Sequence, residues 1–319
     1  MTTVRTLTLN PVIDLGSGVS SIRPNQKLRC DAPSFEAGGG GVNVSRALKR
    51  LGQKSTAVFP LGRGLGGFYH HLLETEDIVC EPMGIKARMQ RINTNVREKE
   101  SGDQYRFCMP GMEITENELG NLQDLLSEDL AAGDLLIMSG SLPPGVSADF
   151  ITRLSGSVAD IGARLILDAP GEVLQNLAGT SIDWVKPNLH ELQRMIGHEL
   201  DPENLEQELA SFLNQTAIKH ILLTLGDKGA IYAGKEGVHR VPAPKVEKVS
   251  TVGAGDSAVA GLVLGQIREE PPFTSAQWAV AAGSATAKTP GTQLLNRNDF
   301  DALRETVHEL SQENPHAGS

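Results

Sequence analysis

Leu135-Leu136-Ile137-Met138 is the first of four short β-rich runs between residues 135 and 225; Arg164-Leu165-Ile166-Leu167-Asp168, Trp184-Val185-Lys186 and His220-Ile221-Leu222-Leu223-Thr224-Leu225 follow. Their apolar residues come in sequence rather than in alternation, as in strands buried on both faces. Ser55–Pro60 and Val4–Leu9 extend the series toward the N-terminus, and helical patterns fill the intervals. Thr115-Glu116-Asn117-Glu118 reads as a capping box opening a helix toward Leu130, and Asp201-Pro202-Glu203 as a cap with an N1 proline before another. Strands alternating with helices predict an α/β fold, a doubly wound, mostly parallel sheet flanked by helices.

Two stretches depart from this alternation. Residues 16–37 and 88–109 look extended, with no helix between strands; Arg91, Asn93, Asn95 and Arg97 alternate with Ile92, Thr94 and Val96. Polar groups therefore occupy one strand face and apolar groups the other. Both stretches read as a small β lid inserted in a single domain spanning residues 1–310, with 311–319 as a frayed tail. Neither an internal repeat nor a Pro- or Ser-rich linker divides the chain.

Composition narrows the function classes. A chain of 319 residues, 39% hydrophobic and 21% charged, can bury a large core, so disorder is excluded. The net charge of −10 and short basic runs argue against a sequence-independent nucleic-acid surface; an anionic substrate needs a local cluster of positive charge. Cys30, Cys80 and Cys108 are odd in number and lack C-x-x-C spacing, which disfavours a disulfide scaffold or structural zinc and suits a reduced, cytoplasmic setting. The N-terminus enters strand-like sequence without a basic-then-apolar leader, and no apolar run approaches ~18 residues. A soluble, unprocessed protein is expected.

The chemistry concentrates at Ser250-Thr251-Val252-Gly253-Ala254-Gly255-Asp256-Ser257, which runs into the apolar segment Ala258–Ile267. Backbone N–H groups unobstructed by side chains, at a helix start, make a seat for phosphate or a developing oxyanion. Asp256 stands where it could deprotonate a hydroxyl beside that seat, which suggests phosphoryl transfer to an alcohol. A Gly-rich turn with an N-capping Asp is the competing reading.

Other motifs weigh less. Gly62-Arg63-Gly64-Leu65-Gly66-Gly67 satisfies the dinucleotide pattern G-x-G-x-x-G, but no acidic residue follows near Ala87, about 20 positions on. No Walker loop and no G-x-S-x-G elbow is present, and His70-His71 and His190-Glu191 lack the spacing of a zinc helix.

Three further blocks precede the loop: Phe35-Glu36-Ala37-Gly38-Gly39-Gly40-Gly41-Val42-Asn43-Val44, Lys186-Pro187-Asn188-Leu189-His190-Glu191, and Leu222-Leu223-Thr224-Leu225-Gly226-Asp227-Lys228-Gly229-Ala230. In this order and spacing the chain resembles the ribokinase-like carbohydrate kinases over nearly its whole length. Lys27-Leu28-Arg29-Cys30, Gln104-Tyr105-Arg106-Phe107, Met109-Pro110-Gly111 and Ser139-Gly140-Ser141-Leu142-Pro143-Pro144-Gly145 resemble that family's minor-type, ATP-dependent 6-phosphofructokinase branch.

The resemblance implies a ribokinase-like fold with a β lid and a kinase using Mg-ATP on a hexose phosphate, most directly fructose 6-phosphate. It implies Asp256 as the base, with Gly253, Ala254 and Gly255 stabilising charge on the transferring group. For the sugar it implies Asp14, Gly39 and Asn43, with Arg91, Ser141 and Lys27 at its phosphate; Lys27 could instead contact the nucleotide. Lys186, Asn188, Thr224, Gly226, Gly229, Lys248 and Thr251 are implied on the nucleotide side, with Val280 and Ser284 flanking the base. Asn188 and Glu191, three apart on a helix start, share one face and could organise Mg²⁺; an N-cap followed by a solvated Glu is the alternative. A monovalent-cation loop for K⁺ is implied at Ser250, Val252, Thr286, Thr289, Gly291 and Gln293. Two or three isolated strands cannot leave an apolar face in water, so a homodimer joined through the lids is expected, and the resemblance points the same way. A 1-phosphofructokinase or tagatose-6-phosphate kinase, a dehydrogenase, and a silent sugar or nucleotide sensor are the remaining alternatives.

Overall fold

The structure, a computed structural model, describes residues 2–87, 89–171, 175 and 180–313. The chain begins β1 (Val4–Leu7), β2 (Val12–Val19), β3 (Ser34–Gly38), α1 (Gly40–Arg50), β4 (Thr56–Leu61), α2 (Gly66–Thr75) and β5 (Val79–Gly84). It continues β6 (Arg91–Glu98), β7 (Gln104–Phe107), α3 (Glu116–Glu128), β8 (Leu135–Ser139), α4 (Ala148–Ile161), β9 (Arg164–Asp168) and β10 (Ile182–Val185). There follow α5 (Leu189–Ile196), α6 (Leu205–Asn214), β11 (Ile218–Thr224), β12 (Ala230–Gly234), β13 (Gly237–Val241), α7 (Ala254–Ile267), α8 (Pro272–Ala287) and α9 (Arg297–Glu313).

Nine strands form one sheet, ordered β13-β12-β11-β10-β9-β8-β1-β4-β5. Every neighbouring pair from β11 to β5 is parallel, and β12 and β13 add an antiparallel edge hairpin. The uninterrupted apolar runs have a direct cause: Leu136 and Met138 face the core packed by α3 and α4, while Leu135 and Ile137 face the one packed by α7 and α8. Such strands bury both faces. No helix among the described residues is long and apolar enough to cross a membrane.

Thr115 and Glu118 close the expected capping box on α3, whereas the helix expected at Pro202 starts later. Asp201 Oδ1 accepts from the Glu203 N–H at 3.0 Å, a local turn that delays the helix to Leu205. At the C-terminus α9 runs to Glu313 with Ser311 buried, so the frayed tail expected from residue 311 is helical at its start. Residues 314–319 lie outside the described residues.

A second, four-stranded sheet, β3-β2-β6-β7, occupies the two non-alternating stretches. It opens at Val12, earlier than residue 16, because Val12 and Ile13 already pair with Gly38 and Ala37; Arg88, where the second stretch was expected to start, lies outside the described residues. Register places Asp14 beside Glu36 and Asn93, and Asn95 beside Arg106, on one face. Leu15, Phe35, Thr94, Val96, Tyr105 and Phe107 share the other. At the base of this second face Ile92 packs against the main domain's Phe59–Tyr69 cluster. Farther out Phe35, Tyr105 and Phe107 are 40%, 38% and 51% exposed.

The glycine run sets α1 flush on the central strands. A Cβ at Gly40 would lie 2.4 Å from Ser139 Oγ and 2.6 Å from the Gly140 nitrogen. Gly40→Ala should therefore push α1 off β8 and cost about 1–3 kcal/mol of stability, measured by urea denaturation; an unchanged midpoint would contradict this packing.

Candidate active site

The loop that leads into α7 separates two cavities at the C-terminal ends of the parallel strands. One, about 790 Å³, is lined by the lid's polar face (Asp14, Glu36, Asn93, Asn95, Arg97 and Arg106) and by Val252 and residues 290–293. The other, about 830 Å³, is lined by Asn188, Thr224, Gly226, Gly229, Lys248, Thr251, Ala254, Gly255, Val280 and Ser284.

Between them lies Asp256, in the first turn of α7, where main-chain N–H groups lack helical partners. Gly253 caps the helix at φ 75°, a left-handed conformation that favours glycine. Asn43, in the first turn of α1, donates from Nδ2 to Asp256 Oδ2 at 2.9 Å. Ser139, at the end of β8, donates to Asp168 Oδ2 at 3.0 Å, and its hydroxyl also pulls the Asp256 pKa down. Burial, followed by the Asp168 charge, pushes the Asp256 carboxyl up to about 7, against the opposing pull of Asn43 and Lys186.

Lys186 lines neither cavity. Of the nine residues expected around the nucleotide, the other eight line the second cavity, but the Lys186 side chain is buried beneath the loop with Nζ 2.9 Å from Asp168 Oδ1. Burial opposes its charge, yet Asp168 overcomes that and holds its pKa above the ordinary lysine value. Asn188 and Glu191 form a reciprocal capping box: Asn188 Oδ1 accepts from the Glu191 N–H at 2.9 Å, and Glu191 Oε2 from the Asn188 N–H at 2.8 Å. That leaves Glu191 Oε1 as the carboxylate oxygen outside the box.

Of the residues expected at the sugar, Asp14 lines the lid cavity. Burial raises its pKa, opposed by Asn93, whose Nδ2 donates to Asp14 Oδ1 at 3.3 Å, and by the Arg91 charge. Arg91 itself donates from Nε to the Met109 carbonyl at 2.9 Å. Gly39 is the N-cap of α1 at φ 125°. Gly39 and Asn43 support the site from beneath rather than lining a cavity, and Ser141 is exposed just past β8. Lys27 lines neither cavity; it is exposed on the 20–33 connection, which has no strand to hold it against the site.

The residues expected at the cation loop do converge. Ser250 Oγ donates to the Gly291 carbonyl at 2.8 Å, Thr289 Oγ1 to the carbonyls of Thr286 (2.8 Å) and Gln293, and Thr286 Oγ1 lies 2.7 Å from Ser257 Oγ. Val252 donates its N–H to Ser250 Oγ at 3.3 Å. Sequence reasoning left the Pro244–Val246 wall of the second cavity and the Thr292–Glu36 bond to the lid unassigned. Only the Lys245 charge could have flagged the first; the second spans 256 residues and leaves no local signal.

The model of the pfkB family of carbohydrate kinases matches residues 8–299. This chain belongs to the PfkB family. It is 38% identical over 305 residues to the ATP-dependent 6-phosphofructokinase isozyme 2 of Escherichia coli strain K12, covering 95% of this chain and 98% of that protein. A crystal structure of Escherichia coli phosphofructokinase-2 in complex with potassium superposes on this PfkB chain with a TM-score of 0.91 at 35% identity, covering 97% of this chain and all (100%) of the other. A 1-phosphofructokinase of Borreliella burgdorferi is 31% identical over 285 residues, 89% of this chain and 91% of that protein.

The raised Asp256 pKa carries a stability consequence. Because the folded value, about 7, lies above the ordinary 3.8, protonation favours the folded state, and that contribution is lost as pH rises through about 7. Asp256→Asn should therefore melt at a higher temperature than wild type at pH 8, with the gap narrowing toward pH 4. A gap independent of pH would contradict the shift.

Proposed function

We propose that this PfkB protein is an ATP-dependent 6-phosphofructokinase, transferring the γ-phosphoryl group of Mg-ATP to the free primary hydroxyl of fructose 6-phosphate to give fructose 1,6-bisphosphate and ADP. The observation that carries this is the loop 251–255: Val252 lines the lid cavity, Thr251, Ala254 and Gly255 line the other, and Asp256 follows directly. Nucleotide and sugar would meet across this wall.

Asp256 accepts the proton of the attacking hydroxyl, held in place by Asn43, while the N–H groups of Gly253–Gly255 stabilise charge on the transferring phosphoryl group. A base with a pKa near 7 is matched to a proton it must take up and release at neutral pH. Asp14 reads sugar hydroxyls; Arg91 and Ser141 bind the sugar phosphate, arginine through its two-pronged donor geometry. Asn188, Thr224, Gly226, Gly229, Lys248 and Thr251 hold the nucleotide, with Val280 and Ser284 against its base. The Lys186–Asp168 pair supports the loop from below.

Mg²⁺ arrives with ATP and neutralises charge on its phosphates; Glu191, through Oε1, would hold the ion's water shell beside Asn188. The neutral oxygen donors of Ser250, Val252, Thr286, Thr289, Gly291 and Gln293 fit a monovalent cation such as K⁺, which would brace the loop beside Gly253. The relative's potassium complex supports the same reading. Free Cys30, Cys80 and Cys108 suit a cytoplasmic enzyme.

The exposed apolar lid face supports a homodimer joined through the lids, each covering Phe35, Tyr105 and Phe107 of the other.

ADP release should be fastest with fructose 6-phosphate in a panel with fructose 1-phosphate, tagatose 6-phosphate, fructose and ribose. Preference for either other phosphate would move the assignment to the corresponding kinase, which the 1-phosphofructokinase relative keeps in view. Asp256→Asn should lower turnover by ~10²–10⁴-fold with ATP binding retained, and near-normal turnover would remove Asp256 as the base. Val96→Lys places a charge in the apolar contact and should yield a monomer with weakened sugar affinity; sedimentation and activity over a dilution series decide it, and a fully active wild-type monomer would rule the dimer out.

A further inference from the structure

Asn10 and Ser141 each lie three residues beyond a paired position, Leu7 of β1 and Met138 of β8, so the parallel register sets them side by side past the sheet's C-terminal edge. There Asn10 Nδ2 donates to Ser141 Oγ at 2.9 Å. Asn10 is 9% exposed, and its Oδ1 has no hydrogen-bond partner among the described residues. Buried polar groups are as a rule satisfied, so stability alone gives no reason for an amide here. The unpaired oxygen lies against Gly111, where a Cβ would come within 2.4 Å of it.

Two residues earlier the lid grips the main chain of Met109. Its carbonyl accepts from Arg91 Nε at 2.9 Å, and its N–H donates to Asn93 Oδ1 at 3.1 Å. Asn10 thus stands between the exposed Ser141 hydroxyl and the segment that anchors Arg91.

We propose that Asn10 is a positioning residue for the sugar phosphate, fixing the direction in which Ser141 offers its proton. A hydroxyl carries one proton and can donate or accept. By donating to Oγ, Asn10 fills an acceptor site and leaves the Ser141 O–H for an oxyanion, and a phosphate dianion presents only acceptors. An oxygen in place of Nδ2 would take that proton away. This rests on the assignment of Ser141 and Arg91 to the sugar phosphate made above.

Four variants test it: Asn10→Ala, Asn10→Asp, Ser141→Ala and the Asn10→Ala/Ser141→Ala double. KM for fructose 6-phosphate, KM for ATP and the melting temperature without ligand are measured for each. Asn10→Ala should raise the sugar KM about 3- to 10-fold, the worth of one hydrogen bond, with ATP KM and melting temperature unchanged. Asn10→Asp, which can only accept from Ser141 and adds a negative charge, should raise it by about 30-fold or more. In the Ser141→Ala background the Asn10→Ala effect should vanish. An unchanged sugar KM in Asn10→Ala, additive losses in the double variant, or a lower melting temperature with both KM values raised together would overturn the inference. A wild-type protein inactive on every hexose phosphate would overturn the functional reading and the inference with it. A wild type active on fructose 6-phosphate but matched by Asn10→Ala would overturn the inference alone.

Discussion

The 2.9 Å bond from Asn43 to Asp256 spans 213 residues and ties the first turn of α1 to the first turn of α7. Both helices point their N-termini at the same place, past the C-terminal ends of β1 and β8, so two positive dipole ends converge there. Convergence needs close packing. Gly40 lies where any side chain would strike Ser139, and Gly41 where one would come within 2.5 Å of the Leu7 carbonyl. Were α1 displaced by the width of a methyl group, the carboxylate of Asp256 would lose the donor that orients it.

Around that point an acidic protein holds its own carboxylates in fixed partnerships. Asp168 is bound by Lys186 and Ser139, Glu191 by the N–H of Asn188, and Asp14 by Asn93. Each charge is held by donors close at hand, and Arg91, Arg97, Arg106, Lys245 and Lys248 stand on or beside the cavity walls. Asp256 has less compensation: the Asn43 amide, a Ser139 hydroxyl already given to Asp168 and a lysine already paired with Asp168, together too little to offset burial. Its high pKa follows from that imbalance.

The lid obeys a simpler rule. Strand alternation gives a sheet two faces, and here the polar one lines the cavity while the apolar one packs on the main domain at Ile92 and through the edge contact of Phe35 with Phe68, leaving Phe35, Tyr105 and Phe107 partly exposed. A long-range tie to the other wall, from Thr292 to Glu36, joins it to the same 290–293 segment that receives the bond from Ser250.

The alternation of buried strands and helices, the position of the second sheet and the small-residue loop before α7 were all legible in the chain, because each is written in consecutive residues with a local period or a local steric requirement. Weak edge elements were less so: β5, interrupted by Pro82, and the short hairpin β12–β13 carry little periodic signal. The chain also named the reactive types, Asp256 in a loop of small residues and Arg91 on a polar strand face. Tertiary structure decided where those side chains turn. Lys186 enters the interior to meet Asp168, Asn43 supports Asp256 from below, and Asn10 meets Ser141 across the register of two parallel strands. A hydrogen bond across 131 residues depends on how two strands align, and no local pattern encodes that alignment.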